Sequence, residues 1–170
     1  LPGGVYIDGT FGRGGHSREI LAKLDSSGRL IGIDKDPAAI SHGQEAFAKN
    51  DNFTMVHGSF ADIQRIADDE KVFGKVNGIL LDLGVSSPQL DEATRGFSFM
   101  RDGPLDMRMD YSSGQSASEW LMEASEKEMV FVFKRYGEEK FGTRIARAII
   151  AERAVKSIDT TAHLVQIIND

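Results

Sequence analysis

The chain has 170 residues, 41% of them apolar and 27% charged, and a net charge of −6 at neutral pH. This balance excludes a disordered or fibrous chain and fits one domain of ordinary size with room for a small subdomain. Cysteine is absent, which excludes a disulfide scaffold, a Cys-ligated metal centre and a thiol nucleophile.

The first eighty residues alternate short apolar runs with helical patterns. Val5-Tyr6-Ile7 reads as a strand, followed by a glycine-rich loop from Asp8 to Gly15. Ser17 to Leu24 places Ile20, Leu21 and Leu24 on one helical face. Leu30 to Ile33 is a second strand, ended by Asp34. Asp36-Pro37 starts a helix running to about Lys49, with Asp as cap and Pro at the first helical position. Phe53 to Val56 is a third strand, Ala61 to Ala67 a short helix, and Ile79 to Leu81 a fourth strand closed by Asp82. The alternation predicts βαβ units and an open parallel sheet. The unbroken apolar strands predict burial on both faces.

After Gly84 the character changes. Residues 84 to 115 are irregular, rich in Gly, Pro, Ser and charge, and a loop of that length is often functional. Helical signals follow. Ser116-Ala117-Ser118-Glu119 and Ser125-Glu126-Lys127-Glu128 are capping boxes, Gly137 breaks the second helix, and Phe141, Ile145 and Ile149 form an apolar stripe. Thr160 to Ile168 begins one more helix. The expected organisation is a sheet core over 1–115 and a helical subdomain over 116–170. Charge follows this division: residues 1–115 hold 12 basic and 17 acidic side chains, whereas residues 134–156 hold seven basic and three acidic. A basic helical stretch on an acidic chain can hold phosphates, although it also suits a solvated helix face.

Two loops carry candidate chemistry. Gly9, Gly12, Gly14 and Gly15 lie between a strand and a helix, where the absence of Cβ atoms lets a nucleotide-like ligand approach the backbone. Their spacing differs from the G-x-G-x-x-G of dinucleotide binders, and Asp8 ends the strand itself, an arrangement resembling the first motif of S-adenosylmethionine-dependent methyltransferases. Asp34, 20 residues beyond Gly14, is placed to accept hydrogen bonds from a ribose diol. Phe60, after the third strand, is placed either to pack on an adenine ring or to fill the core. At the fourth strand end, Asp82 and the Ser86-Ser87-Pro88-Gln89 turn offer acceptors that can localise the lone pair of an exocyclic amine and align it for in-line transfer.

The segments Asp8–Ser17, Asp82–Asp91 and Arg95–Asp110 together resemble the bacterial 16S ribosomal RNA cytosine-N4-methyltransferase family, the RsmH or MraW type. Glu119-Trp120-Leu121, Arg135–Lys140 and Arg144–Ile149 are similar to that family's helical insertion. The resemblance implies a partial Rossmann-like α/β sheet with an inserted all-helical subdomain. It implies S-adenosylmethionine as cofactor, held at Gly14, Gly15, His16, Asp34, Phe60, Asp82 and Gln89. It implies methyl transfer to N4 of a cytidine in 16S rRNA of the small ribosomal subunit, with RNA held by Lys134, Arg135, Lys140, Arg144 and Arg147. The 95–110 loop would lie over the site, its Phe97, Phe99, Met107 and Met109 serving equally as packing.

The chain opens without Met and stops at Asp170 inside a helical pattern. Neither the family's preceding His-x-Pro-Val-Leu-like segment nor its later strands occur here. A fragment, weakly active or inactive alone, is therefore expected. No apolar run approaches the ~20 residues of a membrane span and no secretory leader is visible, so the expected setting is cytoplasmic. His16, His42, His57 and His163 show no spacing that would build a metal site. Residue chemistry alone leaves open a methyltransferase acting on another RNA or DNA amine, a non-catalytic RNA-binding fragment, and an NAD-dependent oxidoreductase.

Overall fold

The computed structural model describes residues 1–169, so the expected helical ending at Asp170 lies outside them. The chain forms two compact units, one over Leu1–Ser86 and one from Ser87 onward.

The first unit is α/β and Rossmann-like. Strands β1 (Val5–Asp8), β2 (Arg29–Asp34), β3 (Phe53–His57) and β4 (Val76–Leu80) pair in parallel in the order β3-β2-β1-β4. Helices α1 (Gly15–Leu21), α2 (Pro37–Ala46) and α3 (Ile63–Asp69) make the connections. The order reverses between β1 and β4, which creates a topological switch point at their carboxyl ends. Asp8 pairs in register with Gly32 and Leu80, and Asp34 with His57, so the strand ends form one edge.

Burial explains the strand sequences. Ile7, Ile31 and Ile33 pack with Ile66, Ala67 and Val72, while Phe11, Ala39 and Phe47 form a second cluster with Phe53 and Met55. Leu30 to Ile33 is buried throughout, as its unbroken apolar run requires. β4 differs: it is an edge strand in this sheet, and Ile79 is exposed, so burial on both faces does not extend to it. Asp36 caps α2 as expected, its side chain accepting from Ala38 N at 2.9 Å with Pro37 in the first position. The first helix begins two residues earlier than its apolar pattern indicates, because Gly14 turns left-handed and caps it.

The second unit is helical: α4 (Ser87–Asp91), a single 3-10 turn (Ala93–Arg95), then α5 (Ala117–Glu123), α6 (Glu126–Arg135), α7 (Gly142–Arg153) and α8 (Thr161–Asn169). Both capping boxes form, with Ser116 and Glu119 reciprocating at α5 and Ser125 and Glu128 at α6. Met129, Ala146, Ile149 and Ile158 are fully buried at its centre.

The units divide at Ser86 and Ser87 rather than at the expected 115/116 boundary. The reason lies in the irregular segment, which belongs to the helical unit. Leu105 is part of the helical core, and its N–H donates to Asp159 O at 2.8 Å. Pro104 bridges Thr160, Ala117 N donates to Asp106 O at 2.7 Å, and Asp102 accepts from Ala162 N at 3.0 Å. Within the segment, Arg95 is buried and donates to Met109 O at 2.8 Å, with its guanidinium 5.4 Å from the Tyr111 ring centre. Arg108 grips Asp106 through Nε and Nη2 at 2.9 and 2.6 Å. The segment is thus a folded element. Leu105 is its deep packing residue, while Phe99 and Met107 are exposed.

Candidate functional site

The site is built on the carboxyl edge of the first unit. Asp8 ends β1 with its carboxylate fully buried. One oxygen accepts from Thr10 N at 3.2 Å and the other from Ser17 Oγ at 2.7 Å. Burial pushes its pKa up, and the two hydrogen bonds oppose that shift only in part. Asp8 therefore ties the start of the glycine loop to α1, a positioning role hidden from solvent.

The glycines take the shape this anchoring demands. Gly14 has φ of +72°, and a Cβ there would lie 2.7 Å from both the Phe11 and Phe47 rings, so conformation and space both require glycine. Gly15 is open, with no atom within 4 Å of a notional Cβ. At the start of the loop, Gly9 is flanked by Leu81 and by Phe60, which stand 2.5 and 3.3 Å from where a Cβ would be. Phe60 is thereby rooted beside the β1 end through its Cβ, and it is half-exposed rather than part of the core.

Asp34 closes β2. Its Oδ2 accepts from Gly12 N at 2.7 Å and its Oδ1 from Asp36 N at 2.9 Å. Each oxygen retains acceptor capacity, and the group is only partly buried. The carboxylate thus supports the loop and can still receive hydroxyl donors. Beyond β3, Gly58 N donates to Asp34 O at 2.8 Å, which draws that loop to the same edge.

Asp82 lies just past β4. Its N–H donates to Thr10 Oγ1 at 2.7 Å, and its carboxylate lies 3.4 Å from His16 Nε2, both side chains being well exposed. The loop after β1 and the end of β4 are thus joined across the switch point, where open parallel sheets bind ligands. Of the expected residues, Gly14, Gly15, His16, Asp34, Phe60 and Asp82 come together on this edge.

Ser86 ends the first unit, whereas Ser87, Pro88 and Gln89 belong to the second, in the first turn of α4. The expected open turn over 86–89 is therefore a helix start from Ser87, and Gln89 is buried. Lys134, Arg135, Lys140, Arg144 and Arg147 all lie exposed in the helical unit. Arg147 is engaged by Glu126 at 2.8 Å. Arg153, part of the same basic stretch, donates to Leu121 O and Ala124 O and serves the end of α5.

Thr10 has no role in the sequence reading, and Asp8 enters it only as the acid that ends the first strand, without the anchoring role it has here. Their signal was present: an Asp at a strand end with Thr two residues on marks a side-chain turn that organises the loop behind it. Among the described residues no group of three or more His, Asp or Glu side chains is arranged to hold a metal ion, and no helix is long and apolar enough to cross a membrane.

Comparison with known proteins adds to this geometry. The model of the MraW methylase family matches residues 1–170. The chain is 56% identical over 167 residues to ribosomal RNA small subunit methyltransferase H of Chromohalobacter salexigens, covering 98% of this chain and 50% of that protein. It is 54% identical over 165 residues to the protein of that name from Nitrosococcus oceani, covering 97% and 52%, and 59% identical over 152 residues to that of Shewanella loihica, covering 89% and 48%. The chain spans about half the length of these relatives. A solved putative rRNA-methylase from Clostridium thermocellum aligns with a TM-score of 0.35 at 20% identity over 37% of each chain.

Proposed function

The chain belongs to the MraW methylase family, and from that premise we propose that it carries the cofactor half of an enzyme that methylates the exocyclic N4 amine of a cytidine in 16S rRNA, within the small ribosomal subunit. S-adenosylmethionine is the proposed cofactor. When bound, it supplies a methyl group on a sulfonium and leaves as a neutral thioether. The observation that carries the reading is the Asp34 carboxylate, partly exposed at the β2 end beside a glycine loop, with acceptor capacity left after Gly12 and Asp36.

The proposed roles follow from the chemistry of each group. Asp34 binds the ribose diol. Gly14 and Gly15 let the backbone approach the methionine part, with His16 beside them. Phe60 offers a ring face to the adenine. Asp82 and Ser86 accept from the cytosine amine, whose lone pair is otherwise conjugated with the ring. Ser87, Pro88 and Gln89, which open α4 in the second unit, are included among the amine and cofactor contacts on the strength of the family resemblance alone. Alignment then supplies most of the acceleration, since the electrophile is already activated. Lys134, Arg135, Lys140, Arg144 and Arg147 are proposed to hold RNA phosphates. The chain alone is expected to turn over slowly, because it spans about half of its relatives.

Calorimetric titration with S-adenosylmethionine and, separately, NAD tests the cofactor. Asp34→Ala, checked for folding by circular dichroism, is expected to weaken S-adenosylmethionine binding by about 10- to 100-fold, the loss of one charge-assisted contact set. Binding of NAD alone would overturn the assignment. Transfer of labelled methyl to unmethylated small subunits, read out by the position of the modified base, tests the substrate.

A further inference from the structure

The helical unit carries a cluster that the proposed cofactor chemistry does not use. Where α6 turns into α7, three aromatic side chains stand in solvent: Phe131 is 55% exposed, Tyr136 74% and Phe141 62%. Their positions are fixed. Phe131 meets Tyr136 edge-on, with centroids 5.6 Å apart at 82°. The Arg144 guanidinium lies 5.3 Å from the Phe141 ring centre. The connection is held by its own backbone: Tyr136 N and Gly137 N both donate to Val132 O, Glu139 N donates to Phe133 O, and Glu139 Oε1 accepts from Phe141 N at 2.7 Å. Glu138 sits in the left-handed region at φ of +52°, which such a tight corner demands.

Charge sharpens the reading. Lys134, Arg135, Lys140 and Arg144 alternate with the rings along the chain, and of these Arg144 lies against Phe141, while of the two acids in the stretch, Glu138 and Glu139, Glu139 is spent on Phe141 N. Lys134, Arg135 and Lys140 make no ion pair among the described residues, whereas Arg147, one helical turn beyond Arg144, is paired with Glu126. Exposed rings alternating with unpaired cations are what unstacked bases and their phosphates require. Protein-binding patches share the enrichment in Tyr, Phe and Arg but are depleted in lysine, and this stretch carries Lys134 and Lys140.

We propose that the α6–α7 corner is a stacking platform for unpaired nucleotides, with Tyr136 and Phe141 taking base faces and Arg135, Lys140 and Arg144 taking the adjoining phosphates. Phe131 acts as the prop for Tyr136. The proposal rests on the RNA-substrate reading above and adds the form of RNA recognised: single-stranded segments rather than duplex.

Fluorescence anisotropy with a labelled single-stranded RNA and its duplex form, over a range of salt, tests it. The Tyr136→Ala/Phe141→Ala variant is expected to lose about 10- to 100-fold in single-strand affinity with the salt slope unchanged. Arg135→Gln/Lys140→Gln is expected to reduce that slope by about 1.4, two phosphate contacts at ~0.7 each. Tyr136→Phe keeps the ring and is expected to bind as the parent does. Both double variants should keep the parent's melting temperature, since the side chains are exposed. Unchanged RNA affinity in the aromatic variant would overturn the platform and leave the RNA reading intact. A parent chain that binds no RNA would overturn both. Loss of self-association or of protein capture, with RNA affinity retained, would assign the corner to a protein partner and overturn the platform.

Discussion

In the first unit, the loop between β1 and α1 is tied to a carboxylate buried out of water. In the second, the 96–115 segment and the helix starts are tied to carboxylates at the surface. Asp8 accepts from Thr10 and Ser17 with no exposed atom, and burial raises its pKa. Asp102, Asp106, Glu119 and Glu128 all have lowered pKa values, caused chiefly by the hydrogen bonds they accept: Ala162 N at Asp102, Arg108 at Asp106, Ser116 at Glu119 and Ser125 at Glu128. The difference has a functional sense. Under the proposed function, Asp8 holds the loop's shape while hidden from a ligand, and Asp34 both supports the loop through Gly12 and stays partly exposed to receive one. The irregular segment has no such constraint and can be secured by solvated caps and an arginine fork.

The comparison can be broken by core substitutions first. Ile149→Ala removes a fully buried side chain and is expected to cost the helical unit about 2–5 kcal/mol in urea unfolding. Trp120 is the sole tryptophan and packs against that core, so its fluorescence reports this unit. A midpoint unmoved by Ile149→Ala would show that the helical core is not what holds Trp120. Next, Gly14→Ala forces a left-handed alanine against two phenyl rings and is expected to cost about 3 kcal/mol. Faster hydrogen exchange in β1 and β2 amides, with Trp120 fluorescence unmoved, would confine that effect to the sheet unit.

Acid titration separates the two electrostatic strategies. Asp8 has a raised folded pKa, so its contribution to stability is full below the unfolded value of about 4 and is lost as pH rises through the folded value. Asp106 has a lowered folded pKa, so its contribution is present above about 4 and is lost as pH falls through the folded value. Stability of the parent relative to Asp8→Asn should therefore fall with rising pH above about 4, and relative to Asp106→Asn it should fall with falling pH below about 4. Slopes of the same sign would dissolve the contrast. The smallest effect expected is that of Ser116→Ala, about 1 kcal/mol from loss of one helix cap. Circular dichroism melts measure it.

Local features were legible in the sequence. Both capping boxes and the Asp36-Pro37 start depend on side chains within three residues of the helix they begin, and each formed as its spacing indicates. Gly14 and Asp34 were legible for a related reason: a left-handed loop glycine and an acid closing a strand carry their signal in their immediate neighbours. At β4 the two expectations divide: the apolar run reports what a strand prefers to bury, whereas a partial sheet leaves its fourth strand at an open edge, and Ile79 is exposed there.

The rest is long-range. Thr10 receives the Asp82 N–H across 72 residues. Ser118 donates to Ile158 O across 40, and Leu105 enters a core made by helices that follow it. None of these partners shares a local pattern, so no periodicity announces them. The division at Ser86/Ser87 arises in the same way, since a segment that looks like linker acquires its unit only when its backbone finds acceptors in later helices. Helix and strand signals act over a few residues, so the elements, their caps and the types of residue at the sheet edge could be read along the chain. That Asp8 is buried, that Thr10 joins the loop to the end of β4 and that Phe131 meets Tyr136 edge-on are set by the fold. Burial and distance between remote residues are properties of the folded chain.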